Sequence, residues 1–152
     1  MPGTREVRYL PYSPEQMFDL VADVASYPEF LPWVVATRVR SDSPTLMVAD
    51  MLVGFSALRE RFTSRVTKRR PEEICVEYLE GPLKSLENNW KFIPANGGCE
   101  VFFAVEFTFR SRLFEALAGQ HFDRAFGKMV SAFEARASAL YGSSSSSAHS
   151  VA

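Results

Sequence analysis

The chain has 152 residues, a formal net charge of −1, 47% hydrophobic and 23% charged residues, thirteen phenylalanines and two cysteines. A single domain of this length buries a core without disulfide staples, and the near-neutral balance argues against a dedicated DNA-binding protein. No run approaches the ~18 apolar residues that a membrane span requires.

The phenylalanines either fill a solid core or line a cavity that an apolar ligand fills, and composition does not separate the two. Six of the seventeen Lys and Arg residues fall between Arg59 and Arg70, so a local basic patch sits inside a neutral whole. Cys75 and Cys99 have neither zinc-ligand nor CxxC spacing and read as reduced structural thiols. The opening Met-Pro-Gly-Thr-Arg-Glu is not a signal peptide, and a strand starting near residue 4 leaves no room for a transit peptide. The expectation is a cytoplasmic protein, at most peripheral at the inner face of a membrane.

Residues 4–10 alternate as a strand with Val7 and Tyr9 on one face, and Pro11 ends it. Ser13 then caps a helix with Pro14 at its first position and Gln16 completing a capping box, and Met17, Phe18, Leu20 and Val21 supply the buried face. Asp23 to Ser26 interrupts this helix. In Tyr27-Pro28-Glu29-Phe30-Leu31-Pro32-Trp33, two prolines four apart allow only a short helical turn between them. Phe30, Leu31 and Trp33 crowd into that turn, which reads as an aromatic lid that closes the core or meets ligand or membrane.

A strand over 34–40, a polar turn over 41–44 and a strand over 45–53 follow, with Met47, Ala49, Met51 and Val53 on one side and Asp50 facing out. Gly54 breaks the pattern before the longest alternation. From 58 to 69 the period of two puts Leu58, Phe62 and Val66 on the inner face and Arg59, Arg61, Arg65 and Arg69 on the outer one. Glu60 points inward, where a carboxylate needs a partner or a proton unless it lies at the strand's open end. Pro71-Glu72-Glu73 turns the chain. Ile74, Val76 and Tyr78 face inward, then, after Gly81-Pro82, Leu86, Asn88, Trp90 and Phe92. Val101, Phe103, Val105, Phe107 and Phe109 share one face of the last strand.

No proline interrupts Arg112 to Leu140. Leu113, Leu117, Phe122, Phe126, Met129, Phe133 and Leu140 give one apolar stripe along a helix of roughly 30 residues, about 45 Å long. The Ser-rich tail 143–152 cannot bury anything and is predicted disordered, leaving 1–142 as the domain. The order is strand, two short helices, six strands, one long helix. Consecutive strands with short turns make this an α+β fold, a curved seven-stranded antiparallel sheet wrapped around its C-terminal helix.

No nucleophile elbow, phosphate loop, dinucleotide fingerprint or metal-ligand pair is present. With His149 in the tail, His121 is the one histidine available for acid–base work, and no spacing brings it to Glu60. Catalysis is unsupported.

Tyr12-Ser13-Pro14, the Tyr27 to Trp33 segment, Val53-Gly54-Phe55, Leu58-Arg59-Glu60-Arg61-Phe62, Gly81-Pro82-Leu83 and Trp90-Lys91-Phe92, in this order, resemble the coenzyme Q-binding protein family of the START-like polyketide cyclase/dehydratase superfamily. The resemblance covers about residues 4–141. Leu83 stands where members often carry Phe. The resemblance implies a helix-grip fold around an elongated apolar cavity. It also implies non-enzymatic binding of ubiquinone or a polyprenyl precursor in support of respiratory electron transport, with no cofactor required. A bacterial branch of the family is described as a ribosome-association toxin acting on the large subunit, so the ribosome is the alternative partner; a polyketide cyclase-like enzyme using His121 or Glu60 is the third reading.

Strand parity and helix facing nominate the ligand-contacting positions. They are Phe18, Phe30, Trp33, Met47, Met51 and Leu58 from the first half, Phe62, Tyr78, Trp90, Phe103, Val105 and Phe107 from the later strands, and Leu117, Phe122, Phe126, Met129 and Phe133 from the helix. Arg59, Arg61, Arg65 and Arg69 form a row that meets anionic lipid, RNA phosphates or only solvent.

Overall fold

The computed structural model describes residues 3–55 and 57–142; the Ser-rich tail lies outside the described residues. Alternating side chains give seven strands: β1 (Gly3–Leu10), β2 (Val34–Asp42), β3 (Leu46–Phe55), β4 (Leu58–Arg69), β5 (Glu73–Glu80), β6 (Leu83–Ala95) and β7 (Gly98–Phe109). They pair antiparallel in one sheet of order β1-β7-β6-β5-β4-β3-β2. Register shifts in β2, between β4 and β5 and at the start of β6 mark the irregularities that let such a sheet curl.

The two edge strands are consecutive in sequence and are joined by helical structure. Helix α1 (Pro14–Ala22) starts on the expected capping box: Gln16 N donates to Ser13 Oγ at 3.0 Å, and Ser13 N donates to Gln16 Oε1 at 2.9 Å. A short 3-10 helix, Val24–Glu29, follows and holds Pro28 within it. The helical turn therefore runs into the first three residues of the lid and contains its first proline, instead of lying between its two prolines. Leu31 N nonetheless donates to Tyr27 O at 2.9 Å, which keeps the lid folded back on itself.

The C-terminal segment is helical throughout its predicted length but in two pieces, α2 (Arg112–Gly127) and α3 (Met129–Tyr141). Lys128 between them has φ −102° and ψ 3°, and its N–H is shared by Arg124 O and Ala125 O. Gly127 explains the break, since glycine costs a helix interior about 1 kcal/mol relative to alanine.

The buried face also differs from the predicted stripe. Ala118, Phe122, Ala125, Val130, Phe133 and Ala137 are buried, whereas Leu113, Leu117 and Leu140 are 71%, 56% and 52% exposed. The reason is steric: Phe103 and Phe107 of β7 already fill the space beneath the helices, so small residues serve best where helix and strand approach.

Packing adds detail to two further expectations. Val7 and Tyr9 do share a face, but it is the outer one, 56% and 45% exposed. The opposite face of β1 carries Arg8, which pairs with Glu6 and donates to Ser131 at 3.1 Å and Glu134 at 2.8 Å, a polar seam between β1 and α3. Asp50 faces outward as expected yet is only 5% exposed, because Thr63 Oγ1 at 2.7 Å and Arg40 Nε at 2.9 Å close over it. The Thr63 hydrogen bond, helped by Arg40 and Arg61 and opposed by burial, holds its carboxyl below the usual range.

Candidate functional site

The concave face is not filled evenly. Beneath β1 and β7 the helices pack directly on the sheet, but between the helices and strands β2 to β6 there is a cavity of about 140 Å³. Its floor is the inward set of the middle strands: Ala49, Met51 and Val53 from β3, Phe62, Ser64 and Val66 from β4, and Ile74 and Val76 from β5. Leu86, Asn88 and Trp90 of β6 complete it. Phe122, Ala125 and Phe126 of α2 with Met129 and Phe133 of α3 form the roof. Val21 and Val24, with Tyr27, Leu31 and Trp33 of the lid segment and Val34 of β2, close one end.

The lid is held by aromatic edges and one cation. The Tyr27 and Phe30 rings meet Phe133 edge-on at 5.4 and 5.1 Å between centroids, and Trp90 meets it at 5.2 Å. Arg136 of α3 lies 5.1 Å over the Phe30 ring and pairs with Glu29 at 2.9 Å. Tyr27 Oη donates to Val21 O; burial, with Asp23 adding to it, raises the phenol far above its ordinary value, so it stays neutral.

Among the described residues, no charged residue lines the cavity. Its polar side chains are Tyr27, Trp33, Trp90, Ser64 and Asn88. Asn88 Nδ2 donates to Ala104 O at 2.9 Å and its Oδ1 accepts from Trp90 Nε1 at 3.0 Å. Ser64 Oγ has no hydrogen-bond partner among the described residues. A surface of this kind excludes ions and accepts apolar matter with a neutral polar group.

Of the positions nominated from parity and helix facing, Trp33, Met51, Phe62 and Trp90 line the cavity, as do Phe122, Phe126, Met129 and Phe133. The others lie elsewhere. Phe103, Val105 and Phe107 are 2% exposed or less; Phe107 packs against Phe122 and Phe126 of α2, and Phe103 against Trp90 of β6. Phe18 packs edge-on against Phe92 at 6.1 Å, and Phe30 sits behind Phe133. Met47 borders a separate polar cleft with Asp42 and Lys68. Leu58 is partly buried at the start of β4, and Tyr78 bridges the β5–β6 turn through Leu83 N at 2.8 Å and Leu83 O at 3.0 Å. Leu117 is exposed.

The arginine row faces outward, but acidic neighbours neutralise much of it. Arg65 pairs with Glu77 at 2.9 Å and Arg69 with Glu73 at 3.0 Å; Arg59 donates to Leu58 O at 2.9 Å; Arg61 lies within electrostatic reach of Asp50. Glu60 is partly buried near the start of its strand and does not line the cavity. His121 stacks on Phe55 with centroids 5.3 Å apart and is likewise outside the lining. Burial pushes the Cys99 thiol up to about 11 and raises Cys75 as well, so both are held as thiols. Among the described residues no cluster of His, Cys, Asp and Glu could hold a metal ion, and no helix is long and apolar enough to cross a membrane.

Comparison with known proteins gives consistent results. The family model described as polyketide cyclase/dehydrase and lipid transport matches residues 10–134. The ribosome association toxin RatA of Rickettsia prowazekii is 35% identical over 137 residues, 88% of this chain and 94% of the toxin. The mitochondrial coenzyme Q-binding protein homolog B of Xenopus laevis is 36% identical over 150 residues, 92% of this chain and 62% of that protein. The solution structure of an 18 kDa protein from Caulobacter crescentus superposes with a TM-score of 0.73 at 41% identity, covering 94% of this chain and all of the other.

Proposed function

The chain belongs to the polyketide cyclase/dehydrase and lipid transport family, and from that premise we propose that it binds, without chemical turnover, an isoprenoid quinone such as ubiquinone or a polyprenyl precursor of one. The observation that carries this reading is the uncharged cavity between the C-terminal helices and strands β2 to β6.

At about 140 Å³ the cavity is close to the ~150 Å³ that accommodates one benzene ring in an engineered protein core. It takes a ring or a single isoprenoid unit, and the rest of a long chain extends through a displaced lid or helix. Each apolar unit buried, at roughly 25 cal/mol per Å², adds a few kcal/mol before association costs, which gives micromolar or tighter binding for several units. The ligand supplies the function, so no resident cofactor is needed. The protein works in the cytoplasm or against the inner face of a membrane, delivering quinone to respiratory electron transport.

Lipid extraction of protein purified from its own source, followed by mass spectrometry, tests the reading. Quinone or polyprenyl species at near-stoichiometric amounts support it; their absence from repeated native preparations overturns it.

The similarity to ribosome association toxins favours a second reading, in which the outer face of β4 contacts ribosomal RNA. It predicts cosedimentation with large ribosomal subunits at low salt that is lost steeply as salt rises. No pelleting at low salt removes it.

A further inference from the structure

The cavity floor is apolar except at two inward positions that no packing requirement explains. Ser64 stands between Phe62 and Val66 on β4, and Asn88 between Leu86 and Trp90 on β6. β5 lies between their strands, and the register sets Ser64 beside Tyr78 and Asn88 beside Val76. Two strand spacings of about 4.8 Å, with a two-residue offset of roughly 7 Å along the strands, therefore separate them by about 12 Å between Cα atoms. After the reach of both side chains, this leaves room for one small ring between them.

Their hydrogen-bonding capacity is unequal but complementary. Asn88 is oriented by Ala104 O and Trp90 Nε1, each of which uses one of its sites, so one N–H and one lone pair remain. Ser64 keeps its full capacity. Ser64 is half-buried, and its hydroxyl faces the apolar cavity without a partner among the described residues, which leaves it open to a ligand.

We propose that Ser64 and Asn88 form a head-binding floor that selects an uncharged ligand bearing hydrogen-bond-accepting oxygens on a ring. The ring enters first and its apolar chain runs out past the lid. Carboxylate and phosphate heads are rejected, because the lining offers no cation to replace their hydration. This inference rests on the cavity-binding reading and adds the chemistry and orientation of what is bound.

The test is calorimetric titration of the full chain with three chain-matched probes: a benzoquinone carrying a ten-carbon chain, the alkylbenzene lacking its oxygens, and a fatty acid. The quinone should bind about tenfold or more tighter than the alkylbenzene, and the fatty acid no tighter than the alkylbenzene. Ser64→Ala, which adds no volume, should weaken quinone binding about five- to tenfold and leave alkylbenzene binding unchanged. Asn88→Ala should act in the same direction, with circular dichroism confirming that each variant is folded. If quinone and alkylbenzene bind equally, if the fatty acid binds tightest, or if folded Ser64→Ala binds quinone as the wild type does, the head-binding floor is wrong while cavity binding stands. If no probe binds the wild type, the cavity-binding reading itself falls.

Discussion

Arg136 Nη2 donates to Glu29 Oε1 at 2.9 Å, joining the last helix to the start of the lid, while the guanidinium covers the Phe30 ring. Arg136 Nε is buried without a partner among the described residues, so the side chain is kept in place by its contacts with the lid and not by saturation of its donors. Arg136→Ala should cost about 1–2 kcal/mol and speed amide exchange over residues 24–33. Thermal unfolding and hydrogen exchange check this; an unchanged exchange pattern would mean that the aromatic edges hold the lid alone.

Filling the cavity should separate stability from binding. Val76→Phe projects a ring into it from β5 and should change stability by no more than about 1–2 kcal/mol in either direction, since added bulk enters open space instead of a packed core. Quinone affinity should fall at least tenfold. A variant that binds as the wild type does would place the ligand elsewhere.

Asp50 makes an acid-limb prediction. Its folded carboxyl lies below its unfolded value of 3.8, chiefly through the Thr63 hydrogen bond, so its stabilisation is complete above that pH and is lost as the pH falls toward the folded value. Asp50→Asn should therefore be less stable than the wild type at pH 7, and the gap should narrow below about pH 4. Chemical denaturation at pH 7, 4 and 3 measures it; a constant gap would show that the carboxylate's charge contributes nothing.

His121→Ala and Glu60→Gln should leave quinone binding within about twofold of the wild type, because neither side chain lines the cavity. His121→Ala should cost about 1 kcal/mol of stability through its lost stacking on Phe55. Titration and thermal unfolding of the two variants check both expectations.

The elements were legible where the signal is local. The Ser13–Gln16 capping box and the alternation through β3 to β7 depend on neighbours a few residues apart, and the structure shows them as read. Strand parity also identified which residues face inward. It could not identify which inward residues meet a ligand, because that depends on where the helices cross the sheet. Val101 to Phe107 look like the best lining in the sequence, and for that reason they are the most tightly covered. The stripe of leucines drew attention from Ala118, Ala125 and Ala137, whose small size allows the close approach. Ser64 went unremarked in a run dominated by arginines, although its parity matches Phe62 and Val66; a lone hydroxyl among inward apolar positions was the available signal.

Among the described residues β1 pairs with β7 alone, with Gly3 beside Glu106 and Leu10 beside Cys99. On a translating ribosome the first strand therefore waits while some ninety residues are added, roughly 5–20 s at ordinary elongation rates, before any neighbour exists to take up its amides. Nascent chains stalled short of β7 would present the greasy inner surface of β3 to β6 unroofed, a substrate for chaperones and proteases. Completion of the polypeptide, and not any early local event, is what seals this fold.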